Sequence, residues 1–200
     1  TGRPKGAMLS HRVCMTMALT HMADVDPIGR DDCILHVAPM SHGSGCYNIP
    51  HVMAATKQVI PASGRFDAGE TYDLIRAHPG IAFFAAPTIV KRLVDHPGAA
   101  RADTGNLKTI IYGGGPMYVA DCKQALSLYG NKLVQIFAQG EAPMTVTVLS
   151  RAMHGDRNHP RYEARLASVG VAQGSMQVRI AGEDDETLPV GERRAEWGEH

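Results

Sequence analysis

Ile81-Ala-Phe-Phe-Ala85, followed after Ala86 by Pro87-Thr-Ile-Val-Lys-Arg-Leu-Val94, is the stretch that decides the fold class. The first five residues are apolar on both faces. That pattern marks a strand buried in a parallel sheet, not one with a wet side. Pro87 suits the first turn of a helix, where its missing N–H costs nothing, so a helix is expected through Val94. The same unit recurs downstream. Thr109–Tyr112 reads as a second buried strand, followed by three glycines. Val119–Tyr129 then reads as a helix and Leu133–Phe137 as a strand. Upstream, Asp67 and Glu70, three residues apart, start a helix that runs to Ala77. Gln58–Ile60 and Cys33–Val37 read as short strands, and Cys46–Ala55 as a helix weakened by Pro50. Ala7–Met22 carries apolar residues at helical spacing, at Leu9, Val13, Met17 and Ala18.

Strands that alternate with helices at this spacing give an α/β fold, a mainly parallel sheet with flanking helices. Ligands of such sheets bind at the carboxyl ends of the strands. The polar and glycine-rich turns fall there: Pro39–Gly45, Gly113–Pro116 and Ala138–Pro143. The last quarter differs. His154–Arg165 is polar and basic and reads as an exposed loop, with His154 and His159 solvated. Met176, Val178 and Ile180 alternate with Gln177 and Arg179, the period of a half-buried strand. The acidic stretch Glu183–Glu186 reads as a turn, and Arg193–His200 has no period. We therefore divide the chain into an α/β core over residues 1–160 and the start of a β-rich C-terminal segment over 161–200.

The chain has 200 residues, 44% apolar and 20% charged, a globular composition. Twenty basic residues balance twenty acidic ones, so charge gives no reason to expect nucleic acid or an anionic membrane as partner. No apolar run approaches the ~18 residues of a membrane span. Cysteines 14, 33, 46 and 122 form no C-x-x-C pair. They read as reduced, mostly buried thiols of a cytoplasmic protein. Cys46 lies four residues after His42, so a helix could place both on one face, but one such pair has too few ligands for a metal site. Met8, Met15, Met17 and Met22 read as adaptable core.

Thr1-Gly2-Arg3-Pro4-Lys5-Gly6 precedes the first expected helix. Small residues let a backbone close around phosphate oxygens, a lysine adds a compact charge, and a helix N-terminus adds a partial one. Taken alone, the stretch reads equally as an ordinary basic turn. Four further segments follow it: Ala38-Pro-Met-Ser-His-Gly-Ser-Gly45, Tyr112-Gly-Gly-Gly-Pro-Met117, Phe137-Ala-Gln-Gly-Glu-Ala-Pro-Met144 and Ala167-Ser-Val-Gly170. In this order the five motifs resemble the adenylate-forming, AMP-binding superfamily, over residues 1 to about 192. The acyl-CoA synthetase branch, the fatty-acid–CoA ligases, looks most similar.

That resemblance implies roles. Thr1, Gly2, Lys5 and Gly6 match the second half of a loop that holds ATP phosphates. His42 matches the position beside the reacting carboxylate, and Gly43, Ser44 and Gly45 the mouth of the acyl pocket. Gly113, Gly114, Gly115 and Pro116 match the segment that lines the adenine and acyl site. Phe137 falls where a tyrosine usually stacks on adenine and leads into Ala138, Gln139 and Gly140, the last in place of a usual threonine. Glu141 matches a glutamate that binds Mg2+. His42, Glu141 and Lys5 are the catalytic candidates. ATP (leaving as AMP), Mg2+ and coenzyme A are the implied cofactors and co-substrates, and the partner is a small fatty or aryl carboxylic acid. Residues 1–160 would be part of the AMP-binding core of the large domain. An opening inside a motif, with no leader before it, reads as an internal fragment of a longer chain, incomplete on its own. The alternatives are an amino-acid adenylation domain, disfavoured because Met40-Ser-His-Gly43 offers no acid for an amine, and a catalytically silent nucleotide-binding module.

Overall fold

One sheet organises the residues that the computed structural model describes, 3–189 and 191. Its strands are β1 (Cys33–Leu35), β2 (Lys57–Val59), β3 (Ile81–Ala85), β4 (Leu107–Tyr112), β5 (Leu133–Gln139), β6 (Ala142–Leu149) and β7 (Val171–Ala172). Their spatial order is β2-β1-β3-β4-β5-β6-β7. The first five are parallel; β6 and β7 run antiparallel to their neighbours. The helices are α1 (His11–Thr20), α2 (Gly43–Cys46), α3 (Asn48–Met53), α4 (Ala68–Ala77), α5 (Pro87–Val94), α6 (Val119–Tyr129), α7 (Arg151–Gly155) and α8 (Tyr162–Leu166).

Strand alternation divides the core in two. Leu35, Phe83, Ile110 and Leu133 pack on one face, with Ile75 of α4, Leu93 of α5 and Cys122 of α6. Ile34, Phe84, Ile111 and Val134 pack on the other, with Met17 of α1 and Tyr47. Five-residue β3 is buried throughout, as its uninterrupted apolar run requires. Asp67 caps α4 by accepting the Glu70 N–H at 2.8 Å. β3, α5 and α6 have the expected boundaries. The chain leaves β1 for β2 across one face and reaches β3, β4 and β5 across the other. The switch therefore lies between β1 and β3, where open α/β sheets bind ligands.

Four expectations need correction. First, α1 begins at His11, capped by the Ser10 hydroxyl, so Arg3–Ser10 is exposed, non-helical chain. Only Met17 of the four N-terminal methionines is deeply buried, and Met8 is 97% exposed. Second, the turn expected over Ala138–Pro143 is shorter than its motif. β5 continues to Gln139, Gly140 and Glu141 form a two-residue turn, and β6 returns antiparallel. Third, 154–165 is not a solvated loop. It holds parts of two short helices, and His154 is fully buried. Its Nδ1 donates to the Ser150 carbonyl at 2.8 Å, which leaves Nε2 to accept the Tyr112 hydroxyl at 2.9 Å. A histidine with both nitrogens satisfied can be buried neutral, and burial holds its pKa below the usual histidine value. His159 is half-buried, and its Nδ1 accepts the Arg161 N–H. Fourth, 176–180 forms no strand; Val178 and Ile180 stay exposed. Strand content in 161–189 is limited to β7 and an Ala181–Thr187 bridge. Alternation prepares a strand, but a strand forms only against a partner, and none of the described residues supplies one. Arg193–His200 lies outside the described residues. Among the described residues no helix is long and apolar enough to cross a membrane.

Candidate active site

A cleft of about 440 Å³ opens at the carboxyl ends of β1, β3 and β5. Its walls include His42 and Gly43 after β1, Phe84 of β3, Gly114 after β4, and Ala138, Gln139 and Gly140 at the β5–β6 hairpin. Residues from three separate motifs thus meet around one volume. Among the described residues, none that lines the cleft is Asp, Glu, Lys or Arg.

Glycine permits the close contacts. A Cβ on Gly43 would lie 2.8 Å from the Phe84 ring, and one on Gly113 2.4 Å from the Ile136 carbonyl. Gly114 has φ +78°, a backbone conformation that favours glycine. Gly45 has a different part. A Cβ there would lie 1.9 Å from the Met40 carbonyl, so this glycine closes the turn and does not line the cleft. Ser44 is also buried, its hydroxyl turned inward to His36. Of the three expected mouth residues, only Gly43 lines the opening.

His42 is exposed and extended at the cap of α2, with its N–H on the Pro39 carbonyl. Cys46 lines the same cleft. Burial, and then the neighbouring Cys14, push its thiol pKa up, which opposes a nucleophilic thiolate. Glu141 stands exposed at the tip of the hairpin turn. Phe137 is 38% exposed and, by strand alternation, faces away from Ile136 and Ala138. The hairpin therefore offers two surfaces: an apolar one toward the cleft and an accessible aromatic one behind it. Gly115 and Pro116 are exposed next to Gly114 but do not line the cleft. Nor do Lys5 and Gly6, which lie in the exposed segment before α1; Leu9 brings that segment to the cleft. No helix N-terminus stands behind Lys5, because α1 starts six residues later. Thr1 and Gly2 lie outside the described residues.

Tyr47 and Phe84 also line the cleft and carried no motif signal, and Pro143 and Met144, the last two residues of the fourth motif, line it although no role was assigned to them. Tyr47 stacks on Phe84 with ring centroids 5.5 Å apart, and His21 meets Tyr47 edge-on at 5.2 Å. Met144 has φ +64° in a bulge of β6. Phe137 pairs with Thr147 and Gln139 with Ala142, so four residues of β6 face the single Ala138. The Gln173 side chain braces this bulge, donating to the Met144 carbonyl at 2.8 Å and the Thr147 carbonyl at 3.1 Å. Bulges next to active sites re-aim side chains in this way. The run Thr145-Val-Thr-Val-Leu149, with its β-branched residues, was the available signal for β6.

Among the described residues no three His, Cys, Asp or Glu side chains cluster as metal ligands. Mg2+ needs no such cluster: it keeps several waters and takes one or two carboxylates together with substrate phosphates. An exposed carboxylate beside the cleft, such as Glu141, fits that requirement.

The chain is 27% identical over 199 residues to the medium/long-chain-fatty-acid–CoA ligase FadD8 of Mycobacterium tuberculosis, covering 100% of this chain and 32% of that protein. It is 29% identical over 195 residues to a feruloyl-CoA synthase of an Amycolatopsis species, covering 96% and 37%. The chain thus spans about a third of the length of these curated relatives. Among solved structures, the amide bond synthetase McbA of Marinactinospora thermotolerans superposes with a TM-score of 0.83 at 23% identity, over 96% of this chain and 37% of that one. ATP-bound MatB of Rhodopseudomonas palustris superposes with a TM-score of 0.79 at 25% identity, over 96% and 36%. The profile of the AMP-binding enzyme family matches residues 1–199, and the chain belongs to that family.

Proposed function

We propose that the full-length protein activates a carboxylic acid with ATP and passes the acyl group to coenzyme A. The observation that carries this reading is the convergence of His42, Gly114 and the Ala138–Gly140 hairpin on one uncharged cleft at the carboxyl ends of the sheet. In the first step a carboxylate oxygen bonds to the α-phosphorus of ATP, and the bond from that phosphorus to pyrophosphate breaks. Charge accumulates on phosphate oxygens, so the protein chiefly supplies fixed donors and cations. Thr1, Gly2, Lys5 and Gly6 are assigned to the phosphates. Phe137 offers a face for adenine, with Gly113, Gly114, Gly115 and Pro116 beside it. Gln139 and the Gly140 backbone border the α-phosphate, and Glu141 would hold Mg2+. His42 hydrogen-bonds the acid, and Gly43 leaves room for its tail. In the second step the coenzyme A thiol attacks the acyl carbonyl and AMP leaves.

Among the described residues the cleft walls carry no carboxylate for a substrate amine, which favours a fatty or aryl acid over an amino acid. Residues 161–200 are read as the entry to a further part of a longer protein, and the rest of the chain would complete the reaction. The test is acid-dependent ATP–pyrophosphate exchange by the full-length protein against fatty, aryl and amino acids. Exchange with fatty or aryl acids is expected. Exchange with amino acids alone, or with none, would reject the proposal.

A further inference from the structure

Ser44 stands between two glycines at the mouth of the cleft, yet its side chain turns away from it. Its Oγ lies 2.9 Å from Nδ1 of His36, and both residues are buried. His36 follows β1, and its backbone N–H donates to the Val59 carbonyl of β2 at 3.0 Å. Its Nε2 lies 3.3 Å from Oε1 of Gln58, also on β2. The Gln58 oxygen can only accept, so Nε2 carries the imidazole proton and Nδ1 is left to accept from the Ser44 hydroxyl. A directed chain therefore runs from the turn that bears His42, through His36, to the edge strand. The turn is tight: even a Cβ on Gly45 would lie 1.9 Å from the Met40 carbonyl.

We propose that His36 and Ser44 are positioning residues for the acid-binding end of the cleft. They hold the 42–45 turn against β2 and so fix His42 and Gly43 at the mouth. Neither touches substrate. The consequence for catalysis rests on the acid-activation reading; the anchoring does not, and the test separates the two.

The experiment uses the full-length protein with Cys14→Ser, so that Cys46, in the cleft wall, is the half-exposed thiol among the four cysteines described here; Cys33 and Cys122 are buried. Iodoacetamide modification of Cys46 is followed by peptide mass spectrometry. Ser44→Ala should speed it about fivefold, the usual worth of one buried hydrogen bond. Gln58→Leu, on a half-buried edge position that tolerates change, should speed it less. In pyrophosphate exchange the same variants should raise KM for the acid and leave KM for ATP unchanged. Parent-like labelling and parent-like acid KM in variants that keep the parent's thermal midpoint would overturn the proposal, as would equal shifts in both KM values. Faster labelling in the variants, with no exchange even in the parent, would uphold the anchoring and reject the acid-activation reading.

Discussion

At the carboxyl ends of β1, β3 and β5 the described residues of the cleft wall include no Asp, Glu, Lys or Arg. At the amino ends of the same sheet charges are dense and already paired. Asp26, 1% exposed, accepts from Arg151, and Lys108 approaches it to 3.5 Å. Arg151 also reaches Thr109 at the start of β4, and Lys108 pairs with Asp32, just before β1, at 2.5 Å. Burial raises the Asp26 pKa despite both cations. The difference shows how one sheet divides its work. Charges at the amino ends satisfy each other and tie α7 and β4 to the chain before β1. The described cleft lining at the carboxyl ends holds no fixed charge, so that charge can arrive with a ligand.

Removing Arg151 should break this division at its locked end. Arg151→Met leaves Asp26 buried with Lys108 alone, and stripping one partner from a buried pair costs about 3–5 kcal/mol. Urea unfolding should show that loss, and exchange activity per folded molecule should stay near the parent's. The opposite signature is expected of Glu141→Gln at the hairpin tip. Loss of one key electrostatic group should lower acyl-adenylate formation by on the order of 10², with the unfolding midpoint unchanged because the side chain is exposed. Gly43→Ala comes next. Its new methyl group meets the Phe84 ring, and overpacking costs roughly 1–3 kcal/mol. A panel of acids of increasing length should show the penalty falling first on the longest. The smallest effect on stability is expected from Gly140→Thr. A Cβ there meets nothing within 4 Å, so stability should change by no more than about 0.5 kcal/mol. The added hydroxyl should tighten ATP binding, as read by isothermal titration.

The sequence makes the middle of the sheet legible and its rim much less so. β3, α5 and α6 could be read to the residue because burial on both faces, Pro87 at the helix start and helical spacing all pointed the same way. β6 was obscured by Pro143 and by a motif whose family resemblance draws the eye to the turn. The Met176–Ile180 alternation was real, but pairing depends on a neighbour that local pattern does not report. The site divided in a similar way. The motifs located the cleft through His42, Gly43, Gly114 and Gly140. They could not tell a glycine that opens a cleft from one that closes a turn, as Gly45 does, because the difference lies in the distance to the Met40 carbonyl. Phe84, Tyr47 and Gln173 carried no motif at all, since core aromatics and a lone glutamine become site residues only when the chain folds round to them.

His21 under the cleft floor, His51 and His154 are all buried. Burial lowers the His21 pKa to about 3 and the His51 pKa to about 4, and lowers that of His154 as well. In the unfolded chain each returns toward 6.5. As pH falls from about 6.5 toward 4, the unfolded ensemble therefore binds protons that the native state refuses. By linkage, each such proton removes roughly 1.4 kcal/mol of stability per pH unit. Through these histidines folding releases protons over mildly acidic pH, against the opposite contribution of Asp26, whose raised pKa favours the native state as pH falls, and refolding should acidify a weakly buffered solution. Urea midpoints measured between pH 7 and pH 5 should decline accordingly, and a His154→Gln variant should show a shallower decline.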